Sequence, residues 1–438
     1  MSSRSVNRQA FYLGLAYFAA LFGAGNLIFP SYMGLISGKA FITLIMFCVM
    51  DVVFSCLGMV AESKRPDHNM STLKRAGSVF FFALTIVTML LGIVATIPRT
   101  GATSFEIGVQ PLFPSFPPIV YGIFYFVIVF ACALKPGKLI DIVGKYLTPV
   151  LIVGIIIIIF KGLITPLGPI LGPQRDGLFA YGVVQGYQTF DTCAPPSLAM
   201  IYVVSIKAAG FTAPKEQSQI IFRGSIIGSI CLIVVYLGLY ILGAQLASEF
   251  GPNDITSTAL VSLIVERLFG RAGLVLFAIV VILACLTTAI GSVSATARYF
   301  MMYTKDKIKF SWYCIAICLI GAPMTTIGVN GILNLAMPFL MVIMPVYICF
   351  IILSLFTNWI KNDNVFIFAG LTTALFAAFN LFEVPVVGFL PFHHLSFNWL
   401  IPAVVAAIIG NFVPTKTYRD PVHYEAYQGR LAAEGAEE

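Results

Sequence analysis

Two stretches of this chain combine helix-breaking residues with groups that bind charged ligands. The first runs from Phe22 to Asn26, reads Phe-Gly-Ala-Gly-Asn, and lies inside a long apolar run. In hydrocarbon an unwound turn leaves backbone groups unpaired, at several kcal/mol each, unless a ligand replaces the lost hydrogen bonds. The N–H groups beyond such a break suit a carboxylate, and the freed carbonyls suit a cation. Glycines also permit close helix packing, but Gly23 and Gly25 are two apart and face different ways, which favours binding.

The second stretch runs from Gly186 to Pro196 and reads Gly-Tyr-Gln-Thr-Phe-Asp-Thr-Cys-Ala-Pro-Pro. Its proline pair removes two backbone donors and disfavours regular helix just before it. Asp191 is a carboxylate within an apolar run, and acids at bilayer depth are rare and usually functional. This stretch is therefore a second candidate break with a binding role.

A third set of polar groups lies near residue 285. The hydroxyls of Thr287 and Thr288, with the carbonyl of Ala284 one turn earlier, could supply the oxygen ligands that Na⁺ needs. Threonine in a membrane helix more often donates to a carbonyl of its own helix. From the residues alone both roles stay open, and the second is the commoner.

Charged residues within other apolar runs complete the candidates. Arg99 and Glu106 are seven residues apart and share a helix face, and Pro98 is expected to bend that helix. They are gate candidates, although a structural ion pair between them is slightly favoured. Asp51 is a further acid at bilayer depth, and the sequence identifies no partner for it.

The composition indicates that these residues lie in a membrane. Of 438 residues, 59% are hydrophobic and 10% are charged, whereas soluble domains carry roughly 25% charged residues. The net charge of +7 fits the excess of Lys and Arg in cytoplasmic loops of membrane proteins better than a nucleic-acid partner. The lipid bilayer is therefore the expected environment, and no nucleic acid is expected as a partner.

Apolar runs, and the polar, glycine and proline residues that separate them, predict an all-α membrane protein with about twelve spans. Loop Lys and Arg fall twenty on one side against five on the other, with Arg99 inside a span. This bias predicts a multi-pass protein of the cell (plasma or inner) membrane with both termini cytoplasmic. A polar amphipathic helix over 255–270 should lie on the surface, and 416–438 should form a cytoplasmic tail. The predicted spans are 9–37, 39–61, 78–108, 118–134, 145–165, 178–206, 218–247, 272–303, 312–328, 333–357, 365–384 and 397–413.

The two predicted breaks fall in spans one and six, five helices apart. Equivalent breaks in two halves of a membrane protein indicate an inverted-repeat transporter with a midplane binding site. The prediction is a single domain over 1–415 with a 5+5 inverted repeat. Repeat one covers about 9–165, repeat two about 178–357, and two additional C-terminal helices about 365–413.

The sequence resembles the branched-chain amino acid:cation symporter family over essentially its whole length. The motifs that carry the resemblance are Ala20–Pro30, Ile97–Thr100 with Ser104–Glu106, and Gly186–Asp191. Members import leucine, isoleucine and valine with Na⁺ or H⁺, and are thought to share the leucine-transporter fold. The resemblance implies a substrate site that includes Gly23, Ala24, Gly25, Asn26, Tyr187, Thr189, Phe190 and Asp191.

A more distant resemblance concerns the cation site. Residues 23–30 are similar to the first helix of neurotransmitter:sodium symporters, and residues 284–288 are similar to their eighth-helix cation motif. The resemblance implies that one Na⁺ binds the carbonyls of Ala19, Phe22 and Ala284 and the hydroxyls of Thr287 and Thr288. Asn26 would then support a second cation or the geometry of the site.

The sequence departs from the family pattern at one point, and other functions therefore stay open. After Asp191 the family usually continues with Leu and small apolar residues, whereas here Thr192–Ser197 intervenes and leaves side-chain preference open. Transport of another neutral amino acid or small solute is the main alternative. A channel would need a ring of filter groups, and a membrane enzyme would need a catalytic constellation, so both are less favoured. The expectation is a transporter, not an enzyme, with no cofactor and with Na⁺ or H⁺ as coupling ion.

Overall fold

A computed structural model describes residues 3–63, 71–134, 136–356, 359–360, 362–382 and 384–413. The predicted tail over 416–438 lies outside the described residues. The described chain is helical throughout its regular structure. Its first nine α-helices are α1 Ser3–Leu21, α2 Ala24–Ser37, α3 Ile42–Cys48, α4 Phe54–Ser63, α5 Ser71–Lys74, α6 Ser78–Leu91, α7 Ile97–Gly108, α8 Pro118–Ala133 and α9 Pro136–Ile164.

The second half continues in the same way. The remaining α-helices are α10 Leu178–Thr189, α11 Pro195–Ala208, α12 Pro214–Ala244, α13 Ser257–Tyr303, α14 Phe310–Met324, α15 Gly328–Leu355, α16 Asn364–Leu381 and α17 Leu400–Phe412. Short π-helical turns, Val49–Val53 and Gly92–Thr96, join α3 to α4 and α6 to α7. Such turns occur often at functional sites.

The helices are long and apolar enough for a multi-pass membrane protein. Six stretches of the described residues could each cross a bilayer, and a seventh arises when the bent pair α1–α2 is taken as one span. Large apolar side chains also cover the outside of the bundle. Phe124 is 70% exposed, Leu276 68% and Leu319 70%. Contiguous apolar surface of this kind suits lipid rather than water.

Two sequence expectations are refined by the helix bounds. The amphipathic segment over 255–270 is the first part of α13, and a sharp kink at Gly270 (φ 67°, ψ −168°) separates it from the apolar part. Glycine suits this point because other residues rarely adopt a positive φ. The bend expected at Pro98 is preceded by the π-helical turn Gly92–Thr96, which loosens the helix one turn earlier.

Close backbone contacts fix the first broken span against α12. A methyl group on Gly228 would lie 2.6 Å from the Gly14 carbonyl oxygen, and one on Gly243 would lie 1.7 Å from the Ser31 carbonyl oxygen. Gly224 and Gly228 are four residues apart and so share one face of α12. The absence of side chains at these positions brings α1 and α2 close enough to α12 for the polar contacts described below.

Candidate functional site: the meeting point of two broken helices

The first break lies where the sequence predicts it. α1 ends at Leu21, α2 begins at Ala24, and the two helices are bent by 71°. The Gly23 N–H donates to the Leu21 carbonyl at 2.7 Å, whereas in a continuous helix it would bond the carbonyl of Ala19. The break therefore frees the Ala19 carbonyl from its usual partner. It also leaves the first N–H groups of α2 unpaired within their helix.

The second break uses different residues. α10 ends at Thr189, and Phe190 adopts a left-handed conformation with φ 75°. A left-handed residue other than Gly is uncommon and is often associated with function. A short 3₁₀ turn follows from Asp191 to Cys193, and α11 begins at Pro195. The prolines occupy the start of α11, where a missing N–H leaves no helical bond unmade.

A hydrogen-bonded chain of four side chains connects the two breaks. Asn26 Nδ2 donates to Asp191 Oδ2 at 2.6 Å and to the hydroxyl oxygen of Tyr236 at 2.6 Å. The Tyr236 hydroxyl donates to Asp51 Oδ2 at 2.9 Å. Asn26 and Asp51 are each 1% exposed, and Tyr236 is fully buried. The partner that the sequence did not provide for Asp51 is therefore Tyr236, a residue from α12.

Arg99 lies against both breaks. Its guanidinium donates to the carbonyl of Gln188 at 2.7 Å and to that of Thr189 at 3.4 Å, at the C-terminal end of α10. A cation is favoured there because carbonyls of the last turn lack helical partners. Arg99 Nη1 would also lie 3.1 Å from a methyl group placed on Gly25. The guanidinium therefore occupies the space that Gly25 leaves at the start of α2.

The sequence slightly favoured an ion pair between Arg99 and Glu106, and this prediction is wrong, because the two side chains have other partners. Glu106 instead accepts from the Thr258 hydroxyl at 2.6 Å and from the Val329 N–H at 2.8 Å. A carboxylate at the first turn of α15 is favoured by the free N–H groups there. The two residues share a helix, as predicted, but Arg99 joins the breaks while Glu106 joins α13 to α15.

A cavity of about 60 Å³ lies beside the first break. It brings together the five residues that the resemblance implies as Na⁺ ligands, from the first break and from α13. The other lining residues are mostly apolar. The full lining is Phe18, Ala19, Phe22, Gly23, Leu27, Leu151, Ile152, Val281, Ala284, Cys285, Thr287 and Thr288.

The two threonines of this cavity also donate hydrogen bonds to a carbonyl of their own helix, which is the commoner role of threonine in membrane helices. Thr287 Oγ1 donates to the Ala284 carbonyl at 2.8 Å, and Thr288 Oγ1 donates to the same oxygen at 3.0 Å. Each hydroxyl oxygen keeps its lone pairs when it donates its hydrogen. Back-bonding and cation ligation are therefore compatible at these two residues, which both line the cavity.

Only some of the remaining predicted substrate residues lie at the meeting point of the two breaks. The Thr189 hydroxyl donates to the Gly186 carbonyl at 2.7 Å, and Phe190 is half-buried at the break. Tyr187 is 1% exposed and lies beside Trp399, so its side chain faces the C-terminal helices rather than the break. Ala24 is the first residue of α2. The structure thus gathers Gly25, Asn26, Thr189 and Asp191, and places Tyr187 apart.

Three residues of the departure from the family pattern, Thr192, Cys193 and Pro195, contact helices other than those of the first break. The Thr192 hydroxyl bonds the Met50 carbonyl at 2.5 Å, and Cys193 lies 3.6 Å from the sulfur of Met344. Pro195 packs so closely on α4 that a methyl group on Gly58 would approach its Cβ to 2.8 Å. These described side chains hold the second break onto neighbouring helices, and none of them lines the cavity at the first break.

Sequence reasoning missed two tyrosines near this site. Tyr236 completes the chain from Asn26 to Asp51, and the buried hydroxyl of Tyr17 has no hydrogen-bond partner among the described residues. Tyrosine is common in apolar helices, so residue type alone could not single them out. Their glycine-rich contact surface, Gly14 with Gly224 and Gly228, was the only local signal that α1 and α12 approach closely.

Solved structures with the same fold support this architecture. The inward-facing structure of Mhp1 aligns with a TM-score of 0.62 at 13% identity, covering 92% of this chain and 90% of that one. The structure of MhsT in complex with L-phenylalanine aligns with a TM-score of 0.57 at 15% identity, covering 91% and 97%. At these identities the likeness concerns the fold alone, which is the leucine-transporter-like fold that the sequence predicts.

Sequence comparisons identify the family. A branched-chain amino acid carrier protein of Staphylococcus aureus strain MRSA252 is 29% identical over 446 residues, covering 96% of this chain and all of the relative. Its counterpart in strain bovine RF122 / ET3-1 is 28% identical with the same coverage. The family described as branched-chain amino acid transport protein matches residues 6–417. This chain therefore belongs to that family, which is a family of transporters and not of enzymes.

Proposed function

We propose that this protein imports leucine, isoleucine and valine by alternating access, coupled to Na⁺ at the first break. Family membership and the fold support a secondary transporter. The observation that carries the binding site is the 2.6 Å hydrogen bond between Asn26 and Asp191, because it joins the two helix breaks in the bundle interior. Ligand sites at discontinuous helices are typical of such transporters.

In this proposal the substrate binds between the two breaks. Its carboxylate accepts from the N–H groups of Ala24 and Gly25, where the helix dipole of α2 also favours negative charge. Arg99 supports the same carboxylate, since its guanidinium lies next to Gly25. The substrate ammonium faces Asp191, since the carbonyls at the end of α10 already accept from Arg99. Family membership is what favours branched-chain side chains over those of other neutral amino acids.

The Na⁺ site is proposed at the cavity beside the first break. Its ligands would be the carbonyls of Ala19, Phe22 and Ala284 and the hydroxyls of Thr287 and Thr288, all of which line that cavity. A cation that binds both sides of the break stabilises the turn whose N–H groups bind substrate. Occupancy of each site therefore raises the affinity of the other by the same factor.

The same proposal includes the number, symmetry and orientation of the membrane spans. Twelve spans over 1–415 form a 5+5 inverted repeat with two additional helices, in the cell membrane with both termini cytoplasmic. The distribution of loop Lys and Arg supports this orientation. Impermeant thiol labelling of intact cells tests it, since Asp176→Cys should react from outside and Lys305→Cys only after permeabilisation. The reverse pattern would invert the topology.

Substrate class can be tested by ligand-dependent stability. Thermal unfolding of the purified full-length protein is measured with each of twenty amino acids, with and without Na⁺. A ligand at 100 times its Kd stabilises the native state by about 2.7 kcal/mol. Leucine, isoleucine and valine should raise the unfolding temperature most, and more so with Na⁺. A larger shift with another amino acid would reassign the substrate.

The cation site can be tested by removing both hydroxyls. Thr287→Ala with Thr288→Ala should abolish Na⁺-dependent leucine uptake into proteoliposomes, because two of the five proposed ligands are lost. Thr165→Ala is the matched control, since Thr165 also back-bonds to its own chain but does not line the cavity. Unchanged Na⁺ dependence in the double variant would remove the cation from this cavity.

A further inference from the structure

A second cavity, of about 350 Å³, lies between α9 and α13. It is lined by hydrophobic residues and two glycines, all of them from these two helices. Ile155 and Phe277 are buried and form its floor, whereas Ile157 and Leu276 are exposed along its rim. The cavity is therefore an apolar groove, called the α9–α13 groove below, that opens onto the apolar outer surface of the bundle.

Two glycines on the facing helices keep this groove open. A methyl group on Gly154 would have no neighbouring atom within 4 Å, and one on Gly273 would meet only Phe269 of its own helix. The glycines of α12 do the opposite, since a methyl group on Gly228 would lie 2.6 Å from the Gly14 carbonyl oxygen. An unfilled gap forfeits dispersion contacts, and an apolar gap admits apolar ligands rather than water. The groove therefore suits an apolar occupant.

The dimensions of the groove fit one alkyl chain. Its lining on α9 extends from Val150 to Ile158, which is about 12 Å along a helix, close to one leaflet's half of the roughly 30 Å hydrocarbon core. Over that length the volume of about 350 Å³ gives a cross-section of about 30 Å². A helix about 10 Å in diameter has a cross-section of roughly 80 Å². An extended chain can enter this groove, whereas a helix can only lie over it.

A lysine continues the groove-lining face of α9. Lys161 is four residues beyond Ile157 and seven beyond Gly154, so the three share one helix face. Lys161 is exposed and lies in the last turn of α9. A lysine in this position extends its ammonium group toward the polar interface while its stem lies along apolar surface. The groove therefore has an apolar length and a cationic end.

The other charges near this part of α13 leave the balance positive. Glu266 and Arg271 lie beside groove-lining residues, and both are exposed. Arg267 is already paired with Glu249. Together with Lys161, these groups carry one positive charge in excess, which complements the phosphate of a lipid headgroup.

The groove shares a wall with the cavity at the first break. Leu151 lines both of them. On α13, Val280 lines the groove and the next residue, Val281, lines the cavity. An occupant of the groove therefore packs against the helices that also hold Ala284, Thr287 and Thr288.

We propose that the α9–α13 groove binds one phospholipid of the surrounding bilayer, with an acyl chain between the helices and the phosphate at Lys161. The groove is continuous with the lipid-covered surface, so the chain enters it from the bilayer without crossing water. The bound chain supports the wall at Leu151 and so stabilises the cavity behind it. This coupling rests on the proposed Na⁺ site, whereas the binding of lipid does not.

Native mass spectrometry of the full-length protein tests the lipid site. The protein is reconstituted with phosphatidylglycerol and then extracted in a mild detergent, and the wild type should retain one phospholipid per chain. Gly154→Leu should lose it, because the added side chain enters the groove without displacing protein atoms. Gly291→Leu is the matched control, since Gly291 also has open space around it but does not line the groove.

The phosphate contact has its own pair of variants. Lys161→Gln should weaken retention of phosphatidylglycerol. Lys207→Gln, which alters an exposed lysine in the last turn of α11, should leave retention unchanged. Equal retention by Lys161→Gln and wild type would remove the headgroup from this end of the groove.

Other outcomes overturn the proposal as a whole. Complete loss of lipid from the wild type, or full retention by Gly154→Leu, would show that the groove holds no phospholipid. A wild-type dimer that Gly154→Leu dissociates would assign the groove to a second copy of the chain. If Gly154→Leu does not fold, Ile157→Trp is the second test, since a larger ring on the exposed rim should also reduce retention.

Na⁺-dependent thermal stability then tests the coupling. Removal of lipid should weaken the apparent Na⁺ affinity of the wild type on the order of 5-fold, the lower end of typical coupling between sites, and should have no effect on Gly154→Leu. An affinity independent of lipid would refute the coupling. A protein that retains the lipid but shows no response to Na⁺ would refute the proposed Na⁺ site and leave the lipid site standing.

Discussion

The two helix breaks solve the same physical problem with different residues. At the first break, glycines open the turn, and residues of the break line a cavity together with Ala284 and the threonines of α13. At the second break, Phe190 in a left-handed conformation opens the turn, and the guanidinium of Arg99 donates hydrogen bonds to carbonyls at the end of α10. The first break is therefore open to a ligand, whereas the second is stabilised largely by the protein itself.

Removing Arg99 should have the largest effect on this arrangement. Arg99→Met leaves the Gln188 and Thr189 carbonyls without their buried donor, and an unsatisfied buried polar group typically costs about 1–3 kcal/mol. We expect a large drop in thermal stability and loss of uptake, with Arg99→Lys intermediate because it keeps charge but not the planar fork. Arg175→Met, which alters an exposed arginine stacked on Tyr181, is the control. Wild-type stability in Arg99→Met would show that the second break supports itself.

The two glycines of the first break should differ from each other. A methyl group on Gly25 would lie 3.0 Å from a ring carbon of Phe29 and 3.1 Å from Arg99 Nη1, so Gly25→Ala should cost about 1–3 kcal/mol through overpacking. A methyl group on Gly23 meets only the Leu21 carbonyl oxygen, at 3.9 Å. Gly23→Ala should therefore keep or raise stability, by up to about 1 kcal/mol. Unfolding measurements that rank the variants the other way would contradict this assignment of the two glycines.

The prolines of the second break should matter less than the sequence suggests. They stand at the start of α11, after the turn that Phe190 has already opened. Pro195→Ala with Pro196→Ala should lower the unfolding free energy by about 1 kcal/mol or less per residue through the unfolded chain, and Pro195→Ala also loses its packing against Gly58 of α4. Leucine-dependent thermal stabilisation should persist. Its loss would mean that the proline pair itself forms the break.

The smallest expected effect lies outside both breaks. Arg267 donates two 2.7 Å hydrogen bonds to Glu249, and this pairing lowers the pKa of the exposed Glu249 carboxyl. A lowered pKa in the folded state stabilises the protein at pH values above the ordinary glutamate range, and this contribution is lost as the pH falls through the folded-state pKa. Glu249→Gln should unfold at a slightly lower temperature than wild type at neutral pH, and the difference should vanish in acid. A difference that grows in acid would contradict the pairing.

Local features of the sequence determined the membrane environment, the helical class and the positions of both breaks. Hydropathy, glycine pairs and proline pairs act within a few residues, so their consequences can be read without knowing distant contacts. Family motifs added the transporter class and the fold, and both are supported by the comparisons.

Only the tertiary structure decided which polar groups meet. Asp51 is partnered by Tyr236, 185 residues away, and Arg99 contacts carbonyls about 90 residues away rather than the Glu106 of its own helix. Sequence periodicity fixes which residues share a helix face, but not which neighbouring helix that face contacts. In a bilayer every buried polar group must find a partner, and the glycine contacts that bring α1 and α2 onto α12 determined which partners were within reach.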